Sequence, residues 1–145
     1  SQLLDPLLER IPVNSSGLDF GSGPGPTLSL MLEECGHKVD LYDKFYARND
    51  SVFEKKYDFI TATEVLEHLS DPMLELNQLL GLLKNNAYLA VMTQLLTPQI
   101  DFSNWYYKND PSHIGFFSKK TLYYVENYFE IEVLYSLERV VFFKK

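Results

Sequence analysis

The stretch Gly17-Leu18-Asp19-Phe20-Gly21-Ser22-Gly23-Pro24-Gly25 runs a short buried strand straight into a glycine-rich turn, and a helix follows from Pro26 or Thr27 to Cys35. Pro26 suits the first helical turn and Gly36 the C-terminal stop. Gly21, Gly23 and Gly25 let the backbone turn tightly and approach a ligand closely. The following helix offers unpaired N–H groups and a partial positive charge at its start. His37 to Asp43 alternates as a second strand. Asp43 ends it, 20 residues beyond Gly23, where a carboxylate can accept both hydroxyls of a ribose.

A tight strand-to-helix turn by itself would explain a lone glycine loop, so the surrounding residues are needed to choose a ligand. An NAD loop of the G-x-G-x-x-G type would place glycine at position 26, which is Pro26. A loop for ATP or GTP would need Lys followed by Ser or Thr, and neither is present. Asp19 ahead of a G-x-G-x-G loop, with Asp43 after it, fits a nucleoside that lacks phosphates.

The rest of the chain alternates strands and helices. Residues 2–10 read as a short amphipathic helix, and Asn14-Ser15-Ser16 as a turn. Tyr57 to Thr63 is an apolar, β-branched third strand, and Glu64 to His68 starts a helical stretch. Ser70 or Asp71 caps the next helix, with Pro72 at its first position and Leu74, Leu76, Leu79, Leu80, Leu82 and Leu83 as its buried stripe. Asn85-Asn86 turns the chain into a fourth strand, Ala87 to Gln94. Residues 97–116 form a long loop, and Ser118 caps a helix to about Asn127. The last two strands, near 129–135 and 139–143, are too close for a crossover and predict an antiparallel hairpin. The pattern predicts an α/β fold: a mostly parallel sheet covered on both faces.

Leu18-Asp19-Phe20-Gly21-Ser22-Gly23-Pro24-Gly25 resembles the first motif of the class I S-adenosylmethionine-dependent methyltransferases. Tyr57-Asp58-Phe59-Ile60, followed by Glu64-Val65-Leu66-Glu67-His68-Leu69 and Asp71-Pro72, is similar to that family's fourth-strand region. The resemblance covers roughly residues 15–145 and implies a Rossmann-like three-layer sandwich ending in an antiparallel hairpin. It implies that S-adenosylmethionine sits on the loop Gly21-Ser22-Gly23-Pro24-Gly25. Asp19, Gly21 and Gly23 would surround its methionine and ribose portions, Asp43 would hold the ribose diol, and Thr63 and Glu64 would lie beside the methionine. In one respect the chain departs from the family. Residues 44–56 are too few for the usual helix, extra strand and second helix, so the family's third strand is expected to be missing or vestigial, leaving about six strands. The usual acidic contact to the adenine amino group then has no counterpart; Tyr42, Phe45 or Tyr46 could stack on the adenine or could pack.

Glu64, Glu67 and His68 stand at i, i+3 and i+4, on one face of a helix, and His113 lies in the aromatic loop. Two carboxylates and two imidazoles could hold one divalent ion, Mg²⁺ or Mn²⁺, that orients substrate oxygens. The set is similar to the E-x-x-E-H arrangement of metal-dependent O-methyltransferases, although many relatives use such a stretch for packing and capping alone. His68 and His113 are also the candidate bases. Asp101, Trp105, Tyr106 and Tyr107, on the loop after the fourth strand, are candidates for the substrate face.

The formal charge of −7, with no Lys/Arg run longer than two, lacks the basic stripe that nucleic-acid backbones require. A small-molecule or protein-borne acceptor is easier to accommodate than bulk nucleic acid, and a homo-oligomer is compatible with this composition. Cys35 is the one cysteine, so the chain has no disulfide framework of its own. No apolar stretch approaches a membrane span and no secretory signal is visible, which makes cytoplasmic the default location. The sequence starts at Ser1 without methionine, and the resemblance implies a longer N-terminal cap; residues 1–145 are expected to be one core domain without it. The reading is an S-adenosylmethionine-dependent methyltransferase acting on a small molecule, first of all on oxygen. The alternative is a cofactor-binding module or partner subunit without its own turnover.

Overall fold

A computed structural model describes residues 3–22, 27–44, 46–63, 72–92, 95–96, 117–136 and 140–145. Strands β1 (Ser16–Phe20), β2 (Lys38–Tyr42), β3 (Tyr57–Thr63) and β4 (Leu83–Met92) are joined by β8 (Val140–Lys144) and β7 (Glu132–Ser136) in one sheet of order β2-β1-β3-β4-β8-β7. The first four are parallel, and β8 runs antiparallel to both β4 and β7. The expected hairpin therefore exists, and its second strand is inserted beside β4. A small parallel pair, β5 (Leu95–Leu96) with β6 (Phe117–Ser118), was not expected from the sequence.

Helices lie on both sheet faces because successive strand residues point to opposite sides. On one side α1 (Leu4–Arg10) and α2 (Thr27–Glu34) bury Leu3, Leu7 and Leu32 with Phe59, Ala90 and Phe142. On the other, α3 (Pro72–Gly81) and α4 (Lys119–Phe129) bury Leu76, Leu79 and Val125 with Leu18, Ile60, Leu89 and Phe143. Among the described residues no helix is long and apolar enough to cross a membrane.

The stripe expected on α3 is corrected at Leu74, which is 63% exposed. Leu76, Leu79 and Leu80 follow the i, i+3, i+4 spacing of one face, and Leu74, two residues earlier, lies on the opposite side. Leu82 and Leu83 are buried beyond the helix, Leu83 already within β4. Asn85-Asn86 does not end an element either. The pair sits inside β4, where the register with β3 jumps from Tyr57↔Leu83 to Phe59↔Tyr88, and Asn86 takes a positive φ of 65°. The excess residues, Lys84 to Asn86, are exposed as a bulge.

The segment between β2 and β3 contains one 3-10 turn, Asp50–Glu54, among its described residues, and β2 is an edge strand. The expected loss of the third family strand is thus observed. Among the described residues, what remains of pairing there is a single bridge, in which Asp43 and Ala47 exchange both backbone hydrogen bonds. Side chains finish the edge. The buried Tyr57 hydroxyl lies 2.9 Å from Asp40 Oδ2 and 3.0 Å from the Val52 carbonyl, and Lys55 Nζ reaches Asp40 at 3.0 Å. Burial first, then the hydrogen bond and charge of Asp40, raise the Tyr57 hydroxyl above its ordinary pKa. Replacing Tyr57 by Phe should cost about 1–2 kcal/mol by urea unfolding, because Val52 and Asp40 lose a donor at a partly buried site. An unchanged midpoint would show that water serves the edge equally well.

Candidate functional site

From β1 the chain passes through α2 to β2 on one side, then returns past β1 to β3 on the other. A reversal of this kind opens a crevice beyond the carboxyl ends of β1 and β3. Four of the nominated residues meet there. Asp19 is in β1, Gly21 and Ser22 follow it, and Asp43 follows β2. The register Phe20↔Tyr42 and Phe20↔Ala62 sets Gly21 between Asp43 and the backbone of Thr63.

The start of the glycine loop is fixed by the neighbouring strand. The Tyr42 carbonyl accepts from Gly21 N–H at 2.7 Å and from Ser22 N–H at 3.2 Å. Gly21 has φ of 75°, a left-handed conformation that a side chain would strain. The Ser22 hydroxyl is buried and finds no hydrogen-bond partner among the described residues. A buried polar atom without a partner is costly, and a bound polar ligand would relieve that cost. Asp43 is held in a tight turn, its Oδ1 accepting from Tyr46 N–H at 3.1 Å.

Asp19 is 3% exposed and accepts a hydrogen bond from Thr61 Oγ1 at 3.2 Å. Burial is the main reason its pKa rises to about 6; the Thr61 hydrogen bond opposes the rise and the nearby Asp43 charge adds to it. Two carboxylates in one crevice, one of them desolvated, make a site that favours a cation. Thr61 was not among the nominated residues. A threonine within an apolar strand reads as β-propensity, and only the register Asp19↔Thr61 brings the two side chains together.

Of the residues suggested for adenine stacking, Tyr42 packs instead. It stacks on Phe20 at 5.6 Å and meets Phe53 edge-on at 4.8 Å. Tyr46 is 64% exposed beside the turn. Phe45, Gly23, Gly25, Glu64, Glu67, His68, Asp101, Trp105, Tyr106, Tyr107 and His113 lie outside the described residues, as does every side chain of the suggested metal set.

Comparison with known proteins agrees with this geometry. The methyltransferase domain family matches residues 1–125. The chain belongs to that family. The ubiquinone biosynthesis O-methyltransferase of Erwinia tasmaniensis is 31% identical over 70 residues, 48% of this chain and 29% of that protein. The chain thus spans about a third or less of that curated relative. Among solved structures, the magnesium protoporphyrin IX methyltransferase of Synechocystis PCC 6803, with bound S-adenosylhomocysteine, superposes with a TM-score of 0.71 at 14% identity, covering 99% of this chain and 80% of that one. A SAM-dependent methyltransferase from Archaeoglobus fulgidus gives 0.67 at 17% identity, covering 98% and 91%. At these identities the solved structures establish the fold: the six-stranded α/β sheet of this methyltransferase domain is the Rossmann-like one of the class I enzymes.

Proposed function

We propose that this methyltransferase domain binds S-adenosylmethionine at the carboxyl ends of β1 and β2 and transfers its methyl group to a small molecule, first of all to oxygen. The observation behind the proposal is the grouping of Asp19, Gly21, the Ser22 hydroxyl (without a partner among the described residues) and Asp43 around one crevice. These residues fit the cofactor, which brings two cationic groups to the carboxylates and hydroxyls to the polar atoms. Asp43 would take the ribose, Ser22 would gain a hydrogen-bond partner, and Asp19 would face positive charge. Bound S-adenosylmethionine supplies an activated methyl carbon. The chain's own residues position the reactants and exclude water around them, which is the main protein contribution to such a displacement. The net charge of −7 and the likeness to an O-methyltransferase support a small acceptor.

Calorimetry with S-adenosylhomocysteine tests the site. The native chain should bind in about the micromolar range, and Asp43→Asn should weaken binding roughly 10- to 100-fold, the size of a lost charge-assisted hydrogen bond. Asparagine keeps the acceptor for Tyr46 N–H, so loss of affinity would report on charge at the ligand rather than on the turn. Equal affinity in both proteins would remove Asp43 from the site. Acceptor screens with and without Mg²⁺ or Mn²⁺ then test turnover; binding with no turnover on any acceptor would favour the non-catalytic module.

A further inference from the structure

We infer that Thr61 is a positioning residue for the cofactor site: its hydroxyl, hydrogen-bonded across β1 and β3, orients the Asp19 carboxylate for the cationic end of the cofactor. The inference rests on the proposed cofactor reading. Its own basis is the strand register. Asp19 and Thr61 are direct partners across β1 and β3, on the sheet face that also buries Phe59 and Ala90. Thr61 is fully buried, and the same space in an apolar strand would suit valine; the hydroxyl's placement at hydrogen-bond distance from Asp19 Oδ1 is the only polar use visible for it among the described residues.

The hydrogen bond has a consequence that shape alone lacks. A carboxylate buried in apolar surroundings prefers to hold its proton, and a proton on Asp19 would cancel its attraction for a cation. A donor aimed at one oxygen favours the charged form and fixes the plane of the carboxyl group. Among the described residues, two groups act on Asp19. From β2 comes Asp43, whose negative charge opposes ionisation; from β3 comes Thr61, which favours it. The carboxylates of α2, Glu33 and Glu34, are exposed at the far end of that helix.

Thr61→Val removes the hydroxyl and keeps the shape, and Thr61→Ser restores it. S-adenosylhomocysteine binding is measured by calorimetry from pH 5 to 8, and Asp19 is titrated by carboxyl ¹³C NMR in the ligand-free chain. In Thr61→Val the Asp19 titration and the acid limb of binding should both move up by about one pH unit, and Thr61→Ser should return both toward the native curves. If valine prevents folding, Thr61→Ala deletes the same hydroxyl and is read the same way. Native binding with unmoved curves in the folded variant would overturn the positioning role and leave the cofactor reading intact. A moved NMR titration with no ligand binding by any protein, native included, would instead overturn the cofactor reading, and the positioning role with it.

Discussion

Asp19→Asn should make the ligand-free protein more stable by about 2–3 kcal/mol above pH 7, while sharply weakening its affinity for S-adenosylhomocysteine. The stability gain follows from linkage. The folded pKa is about 6 against an ordinary 3.8, so between these values the folded state keeps a proton that the unfolded state has lost. Stability therefore falls as pH rises through this window, and the full penalty is present once Asp19 is ionised in both states. A shift of this size corresponds to about 1.4 kcal/mol per unit. Asparagine carries no charge to desolvate and can still accept from Thr61. Urea midpoints of the two proteins should coincide near pH 4 and separate progressively up to about pH 7. A constant difference across that range would mean that asparagine acts by packing and that Asp19 does not pay a burial penalty. A stability gain in the asparagine variant together with lost affinity would support the proposed binding role of Asp19.

Gly17→Ala should destabilise the fold by about 3 kcal/mol or more, lowering the melting temperature by roughly 10 °C. An added methyl at Gly17 would lie 2.1 Å from Phe59 Cζ and within 2.5 Å of both adjacent ring carbons. The ring cannot simply swing away. Phe59 is fully buried and meets the buried His37 imidazole edge-on, with centroids 6.0 Å apart. His37 is itself anchored, its Nδ1 accepting from Ser15 N–H at 3.0 Å just before β1. Adding Phe59→Leu to Gly17→Ala should recover part of the loss, since the clash involves the far end of the ring. A single variant as stable as the native chain would require that β1 and β3 separate at no cost, contrary to their close parallel pairing.

Gly17 also shows where sequence reasoning stops. Read locally, it begins a strand that leads to the glycine loop, and that reading places β1 correctly. The reason for glycine is a ring from another strand, 42 residues further on, and no local pattern contains it. The α3 stripe has the same lesson in reverse. Every leucine from Leu74 to Leu83 looks equally buriable, but one helix can present only one face to the sheet, which leaves Leu74 in solvent. Asn85-Asn86 carries turn chemistry and a positive φ, yet pairing with β3 and β8 on either side keeps it inside β4 as a bulge. Tyr42, a plausible partner for a flat ligand by sequence, is occupied by Phe20 and Phe53 because the shortened 44–56 segment folds Phe53 back against the edge of the sheet.

What the sequence by itself determined was local: the strand–loop–helix unit around Gly21, the carboxylate ending β2, the missing third strand and the terminal hairpin. Each rests on spacing, glycine and proline chemistry or hydrophobic period, forces that act within about a dozen residues. Tertiary structure alone decided the strand order that opens the crevice, the burial that raises Asp19, and the pairing of Asp19 with Thr61. Those depend on which distant strands lie side by side, and a hydrogen bond or a desolvation penalty exists only once they do.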